Sequence, residues 1–132
     1  MTRRELPIND DGDVVRVRQV VRSVAVDARL SLVEQTKLVT AASELARNTL
    51  TYGGGGTATV EQISNGTKNG VRAIFRDKGP GIADLDLALT DGYTSGRGLG
   101  LGLGGARRLV DEFAVESSPG SGTTVTVIKW AR

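Results

Sequence analysis

Gly96-Arg97-Gly98-Leu99-Gly100-Leu101-Gly102-Leu103-Gly104-Gly105 is the stretch on which the reading of this chain turns. Glycines ahead of a helix expose backbone N–H groups, and the helix dipole adds positive potential, so the run reads as a cradle for phosphate. Leucine alternates with glycine along it, which implies a packed backbone rather than a flexible loop. Gly100, Gly102 and Gly105 satisfy G-x-G-x-x-G, but no apolar strand leads into them. No acid lies about 20 residues beyond, so the dinucleotide-binding context fails. A Walker A loop is excluded because no Gly-Lys pair exists, and the Gly-rich loop of the large protein kinases by chain length and the missing H-R-D.

Downstream of the run, Leu103, Ala106, Leu109, Val110 and Phe113 recur at helical spacing and predict a third helix. Residues 113–117 and 123–130 then read as a hairpin around the turn Ser118-Pro119-Gly120-Ser121-Gly122. Upstream, a short helical piece is expected near residues 85–89, and residues 57–64 and 71–77 read as strands joined by a turn at 65–70. Gly53 to Gly56 stop a second helix that opens at the capping box Ser31/Glu34 and buries Leu38, Ala41, Ala42, Leu45 and Thr49. Before it, Val14, Val17, Val21, Val24 and Ala28 line a first helix starting at Asp13, and residues 3–9 suit an edge strand. The order predicts one α+β domain over residues 1–132, a mixed or antiparallel sheet covered on one face by helices.

With 132 residues there is room for one domain and one modest core. Seventeen Lys and Arg stand against 15 Asp and Glu, a balance that gives no reason to expect a nucleic acid or a membrane surface as partner. The chain has no Cys, hence no disulfide or thiolate site, and no His, hence no Ser-His-Asp triad, imidazole metal site or phospho-accepting histidine. No signal peptide and no apolar run of spanning length is present, so a soluble cytoplasmic domain is expected. Glycine is the anomaly: 18 residues, about twice the usual share. Nine of them fall between Gly79 and Gly105, which marks local backbone requirements rather than low complexity.

Three further places carry candidate chemistry. Glu44 and Asn48 are one helical turn apart and flank the buried stripe. They are either a solvated pair or a carboxylate and an amide oxygen presented to one site, the amide suited to Mg²⁺ and the carboxylate to a proton. Asp77-Lys78-Gly79-Pro80-Gly81 closes a strand. It is either a plain turn or an acceptor-only carboxylate that receives the exocyclic amine of adenine and repels the guanine carbonyl, with Gly79 and Gly81 letting the base approach. Thr123, in Gly120-Ser121-Gly122-Thr123, would share that contact if its strand lies beside Asp77.

Taken in order, Glu44/Asn48, Asp77-x-Gly79-x-Gly81, Gly98-x-Gly100-x-Gly102 and Gly122-Thr123 resemble the N, G1, G2 and G3 boxes of the gyrase/Hsp90/histidine-kinase/MutL ATPase superfamily. Within it the chain resembles the small anti-sigma regulatory kinases, most closely the RsbT-type switch serine/threonine kinases of the bacterial stressosome. Ser43-Glu44-Leu45-Ala46-Arg47-Asn48, Asp91-Gly92-Tyr93-Thr94-Ser95-Gly96, Arg108-Leu109-Val110-Asp111-Glu112-Phe113 and Ile128-Lys129-Trp130 carry that likeness, which spans residues 12–132.

The resemblance implies a two-layer α/β sandwich of the Bergerat type with a mixed sheet, and ATP with Mg²⁺ as ligands. It implies that Asn48 binds the metal and that Asp77, Gly79, Gly81 and Thr123 surround adenine. Gly98, Gly100, Leu101 and Gly102 would hold the phosphates under a lid at about 82–97, and Glu44 would orient or deprotonate the acceptor hydroxyl. Arg97 is either a γ-phosphate contact or a solvated loop residue. The implied partners are a STAS-domain antagonist as phospho-acceptor, a stressosome co-antagonist, and a PPM-type phosphatase activated by the freed kinase. The alternative is an ATP-binding anti-sigma factor that sequesters a sigma subunit. A third possibility is an ATP-binding domain of a larger enzyme, which the complete-looking ends Met1 and Arg132 disfavour.

Overall fold

Short acidic and hydroxyl side chains decide where the two long helices begin. In the computed structural model, which describes residues 2–82, 89 and 102–132, α1 (Asp11–Asp27) is capped by Asp10, whose carboxylate accepts the Asp13 N–H at 2.9 Å. Asp13 in turn accepts the Asn9 N–H at 2.8 Å. α2 (Leu32–Thr51) opens on the expected capping box: Ser31 Oγ accepts the Glu34 N–H at 3.1 Å, and the Glu34 carboxylate accepts the Ser31 N–H at 2.7 Å. Although rich in valine, α1 is helical, and Val14, Val17, Val21, Val24 and the following Ala28 are all buried. Leu38, Ala41, Ala42, Leu45 and Thr49 are likewise buried along α2.

Among the described residues, β1 (Arg3–Ile8), β2 (Gly56–Ser64), β3 (Asn69–Asp77), β4 (Glu112–Ser117) and β5 (Thr123–Trp130) form one sheet in the order β1-β2-β3-β5-β4. The resemblance implied a mixed sheet; all four observed pairings are antiparallel. β2–β3 and β4–β5 are hairpins with short connections, which only antiparallel strands permit, and β5 runs back along β3. Val71, Ala73 and Phe75 of β3 are buried while Arg72, Ile74 and Arg76 are more open, the alternation read from the sequence. α1 and α2 pack together over the buried face, and α3 (Gly102–Arg108) lies against α2. The result is a two-layer α/β sandwich with its helices on one side, as expected.

The third helix is shorter than its apolar spacing suggested. It ends at Arg108, and Leu109, Val110 and Phe113, although packed against the core, lie beyond it. Asp111 takes the chain out of the helix: its N–H donates to the Ile128 carbonyl at 2.9 Å. Its carboxylate accepts from the Trp130 N–H at 2.7 Å, Lys129 Nζ at 3.3 Å and Arg132 at 2.5 Å. These bonds need the sheet, so no local pattern announces them. The helical piece expected near 85–89 lies, apart from Leu89, outside the described residues. Among the described residues no helix is long and apolar enough to cross a membrane.

Burial pushes the Asp111 carboxyl up, but the Trp130 N–H, Lys129 and Arg132 outweigh it and hold the group below the usual carboxylate range. Its contribution to stability is therefore complete above about pH 4 and is lost as pH falls through the folded-state value. Asp111→Ala strands the buried Lys129 ammonium and is expected to cost about 3 kcal/mol in urea unfolding at neutral pH. The acid-side loss of stability should be correspondingly smaller in this variant.

Candidate nucleotide site

Asp77 is the last residue of β3, and its partner across the sheet is Thr123, the first residue of β5. Both side chains fall on the helix-covered side, in register with the alternation of Phe75 and Val125. The strand-end carboxylate and the Thr123 hydroxyl are thus side by side, as the sequence required of a shared contact.

The carboxylate is fixed by its surroundings. Asp77 Oδ1 accepts the Gly79 N–H at 2.9 Å, a local turn that aims the side chain back toward the strand end. Gly53, just past α2, sits directly against this carboxylate: a Cβ there would fall 2.6 Å from Asp77 Oδ2 and closer still to its carbon atoms. Gly79 in turn approaches Gly53, where a Cβ would lie 2.7 Å from the Gly53 Cα. Gly53 was read from the sequence only as a helix stop, so this role was missed. The signal available was the length of the run, since four glycines exceed what ending a helix requires.

The same corner reaches the N-box residues. The Gly53 N–H donates to the Asn48 carbonyl at 3.2 Å, and the Tyr52 N–H to the same oxygen at 2.9 Å. Asn48 is half-buried near the end of α2, and Glu44 lies one turn earlier on that helix at 7% exposure. The partner that the described residues offer Glu44 is the exposed Arg47, 4.0 Å away.

Gly81 has φ +78° and packs against the Ser118 carbonyl, so it belongs to the same cluster. Gly102 opens α3 with φ +69°. The structure thus gathers Asp77, Gly79, Gly81 and Thr123 at one end of the sheet. It joins them through Gly53 to Asn48 and Glu44 on α2, with Gly102 at the start of the helix packed on α2. Arg97, Gly98, Gly100 and Leu101 lie outside the described residues, as does the expected lid apart from Ile82 and Leu89.

Comparison with known proteins places the chain in a family. Residues 33–131 match the family described as histidine kinase-, DNA gyrase B-, and HSP90-like ATPase. Serine/threonine-protein kinase RsbT of Bacillus subtilis (strain 168) is 42% identical over 125 residues, covering 95% of this chain and 94% of the relative. An anti-sigma F factor of Thermoanaerobacter sp. (strain X514) is 30% identical over 119 residues, 86% of this chain and 82% of the relative. The solved RsbU and RsbW domains of a Mycobacterium tuberculosis protein superpose over 100% of this chain with TM-score 0.69 and 20% identity, a likeness of fold. This chain spans 33% of that structure. The chain belongs to the histidine kinase-, gyrase- and HSP90-like ATPase family, in its RsbT-like branch of serine/threonine kinase domains.

The residues suit the ligands the family implies. The Asp77 carboxylate, an acceptor only, fits an amino-bearing purine with the Thr123 hydroxyl beside it, and glycine at 53 and 79 keeps side chains off it on those two sides. Among the described residues no group of three or more acidic side chains gathers into a metal cage. Asn48 carries a hard amide oxygen of the kind that suits Mg²⁺, an ion commonly held by one or two protein ligands together with substrate phosphates. Gly53→Ala is expected to displace the Asp77 carboxylate, costing about 1–3 kcal/mol in thermal or urea unfolding. Nucleotide affinity measured by calorimetry should drop by more than tenfold.

Proposed function

We propose that this chain is an ATP-dependent serine/threonine-protein kinase that phosphorylates a STAS-domain antagonist in a sigma-factor stress-response cascade. A stressosome co-antagonist is a further acceptor. When released from the antagonist, the kinase activates a PPM-type phosphatase. The observation that carries the reading is the Asp77–Thr123 pair set beside Gly53 and tied to α2. The greater identity to RsbT than to the anti-sigma F factor supports the switch-kinase reading over sequestration of a sigma subunit.

In this reading Asp77 accepts the purine amine, with Gly79 and Gly81 beside the base and Thr123 sharing the contact. Asn48 would hold Mg²⁺ through its amide oxygen; when bound, the ion neutralises charge on the phosphates. Gly98, Gly100, Leu101 and Gly102 present backbone N–H groups to the phosphates, and Arg97 is a γ-phosphate contact within the lid at about 82–97. Glu44 orients the acceptor hydroxyl and takes its proton as the serine oxygen bonds to the γ-phosphorus and ADP leaves. Phosphoryl transfer asks chiefly for positioning and charge neutralisation, so this inventory suffices.

Labelled-ATP transfer onto a co-encoded STAS protein tests the whole reading, and capture of a sigma subunit without any STAS partner would favour the anti-sigma alternative. Asp77→Asn is expected to abolish ATP binding in a calorimetric titration, and unaltered affinity would remove the adenine assignment. Glu44→Ala should retain nucleotide affinity while transfer falls by about 10²–10⁴-fold; undiminished transfer would assign the proton to another group.

A further inference from the structure

Ser117, the last residue of β4, faces Thr123 in the sheet, and its hydroxyl has three polar contacts among the described residues. It accepts the Ile82 N–H at 2.8 Å, donates to the Gly122 carbonyl at 3.0 Å, and lies 2.8 Å from Thr123 Oγ1. A serine hydroxyl has one proton to give and two lone pairs to receive. With that proton on the Gly122 carbonyl and one lone pair on the Ile82 N–H, the contact with Thr123 is completed only if Thr123 donates. Reversing it would withdraw from Gly122 its side-chain donor, at the cost of an unmet carbonyl.

We infer that Ser117 is a positioning residue for nucleotide selectivity: by accepting the Thr123 proton it leaves Thr123 only lone pairs to present beside Asp77. This inference rests on the reading of Asp77 and Thr123 as the purine end of the site. Two neighbouring acceptor groups then meet the purine 6-position. An amino group satisfies them, whereas a 6-oxo group sets lone pairs against lone pairs. Asp77 begins the discrimination, and Ser117 denies Thr123 the rotation that would undo part of it. Neither residue need change shape on binding, since the hydroxyl polarity is set within the sheet.

The test compares the affinities of ATP and inosine triphosphate, which differ at that 6-position, by calorimetry on the full chain. The wild-type protein, Ser117→Ala, Ser117→Thr and Asp77→Asn are measured, with thermal melting to confirm folding. Ser117→Ala should lower the ATP preference by about tenfold, mainly through tighter inosine triphosphate binding, and Ser117→Thr, which keeps the hydroxyl, should restore it. If Ser117→Ala melts before it can be titrated, Ser117→Cys gives the same comparison, because a thiol is a poor partner of nearly the same shape. An unchanged ratio, or equal losses for both nucleotides, would overturn the role of Ser117 while Asp77→Asn still loses ATP binding. A wild-type protein without preference, or one indifferent to Asp77→Asn, would instead bring down the adenine reading beneath it.

Discussion

A carboxylate proposed to meet a ligand at the end of a strand cannot be crowded by its own protein. Around Asp77 that constraint is met by Gly53 from one side and Gly79 from the turn, with the Gly79 N–H fixing one oxygen. Gly122 adds a third approach, its Cα packed so tightly on the Asp77 carbonyl that no side chain fits there. The glycine excess of the chain is thus partly a map of where backbone and carboxylate come together. The loss of chain entropy that each glycine brings is offset by the core that α1 and α2 bury against the sheet.

That core is conventional, and it was legible because it obeys the periods of 3.6 and 2. The Ser31/Glu34 cap, the valine stripe of α1 and the alternation of Val71, Ala73 and Phe75 are local patterns with local causes. Leu109, Val110 and Phe113 were misassigned to a helix because apolar spacing reports burial, not backbone hydrogen bonding. What ends that helix is Asp111 finding Ile128, Trp130, Lys129 and Arg132, partners between 17 and 21 residues away in the chain. A pattern confined to a short window cannot contain that information.

The site divides in the same way. Asp77, Gly79 and Glu44/Asn48 each have an ordinary structural use when taken alone, and became candidates because their order along the chain resembles the family's boxes. The pairing of Asp77 with Thr123 was foreseen only as a condition on strand order, and the sheet meets it through β5 lying next to β3. Gly53 and Ser117 escaped notice because their importance is relational. A glycine after a helix and a serine before a turn are ordinary until the fold sets them against Asp77 and Thr123.

Both margins of the sheet are unsuited to strand addition. β1, at one margin, carries Arg3, Arg4 and Pro7, and β4, at the other, carries Glu112 and Glu116. Charge and proline are the usual means of discouraging another chain from docking its backbone alongside. Along these two margins the described sheet offers charge and proline where another backbone would have to pair, so its ladder of amides is closed to a sixth strand.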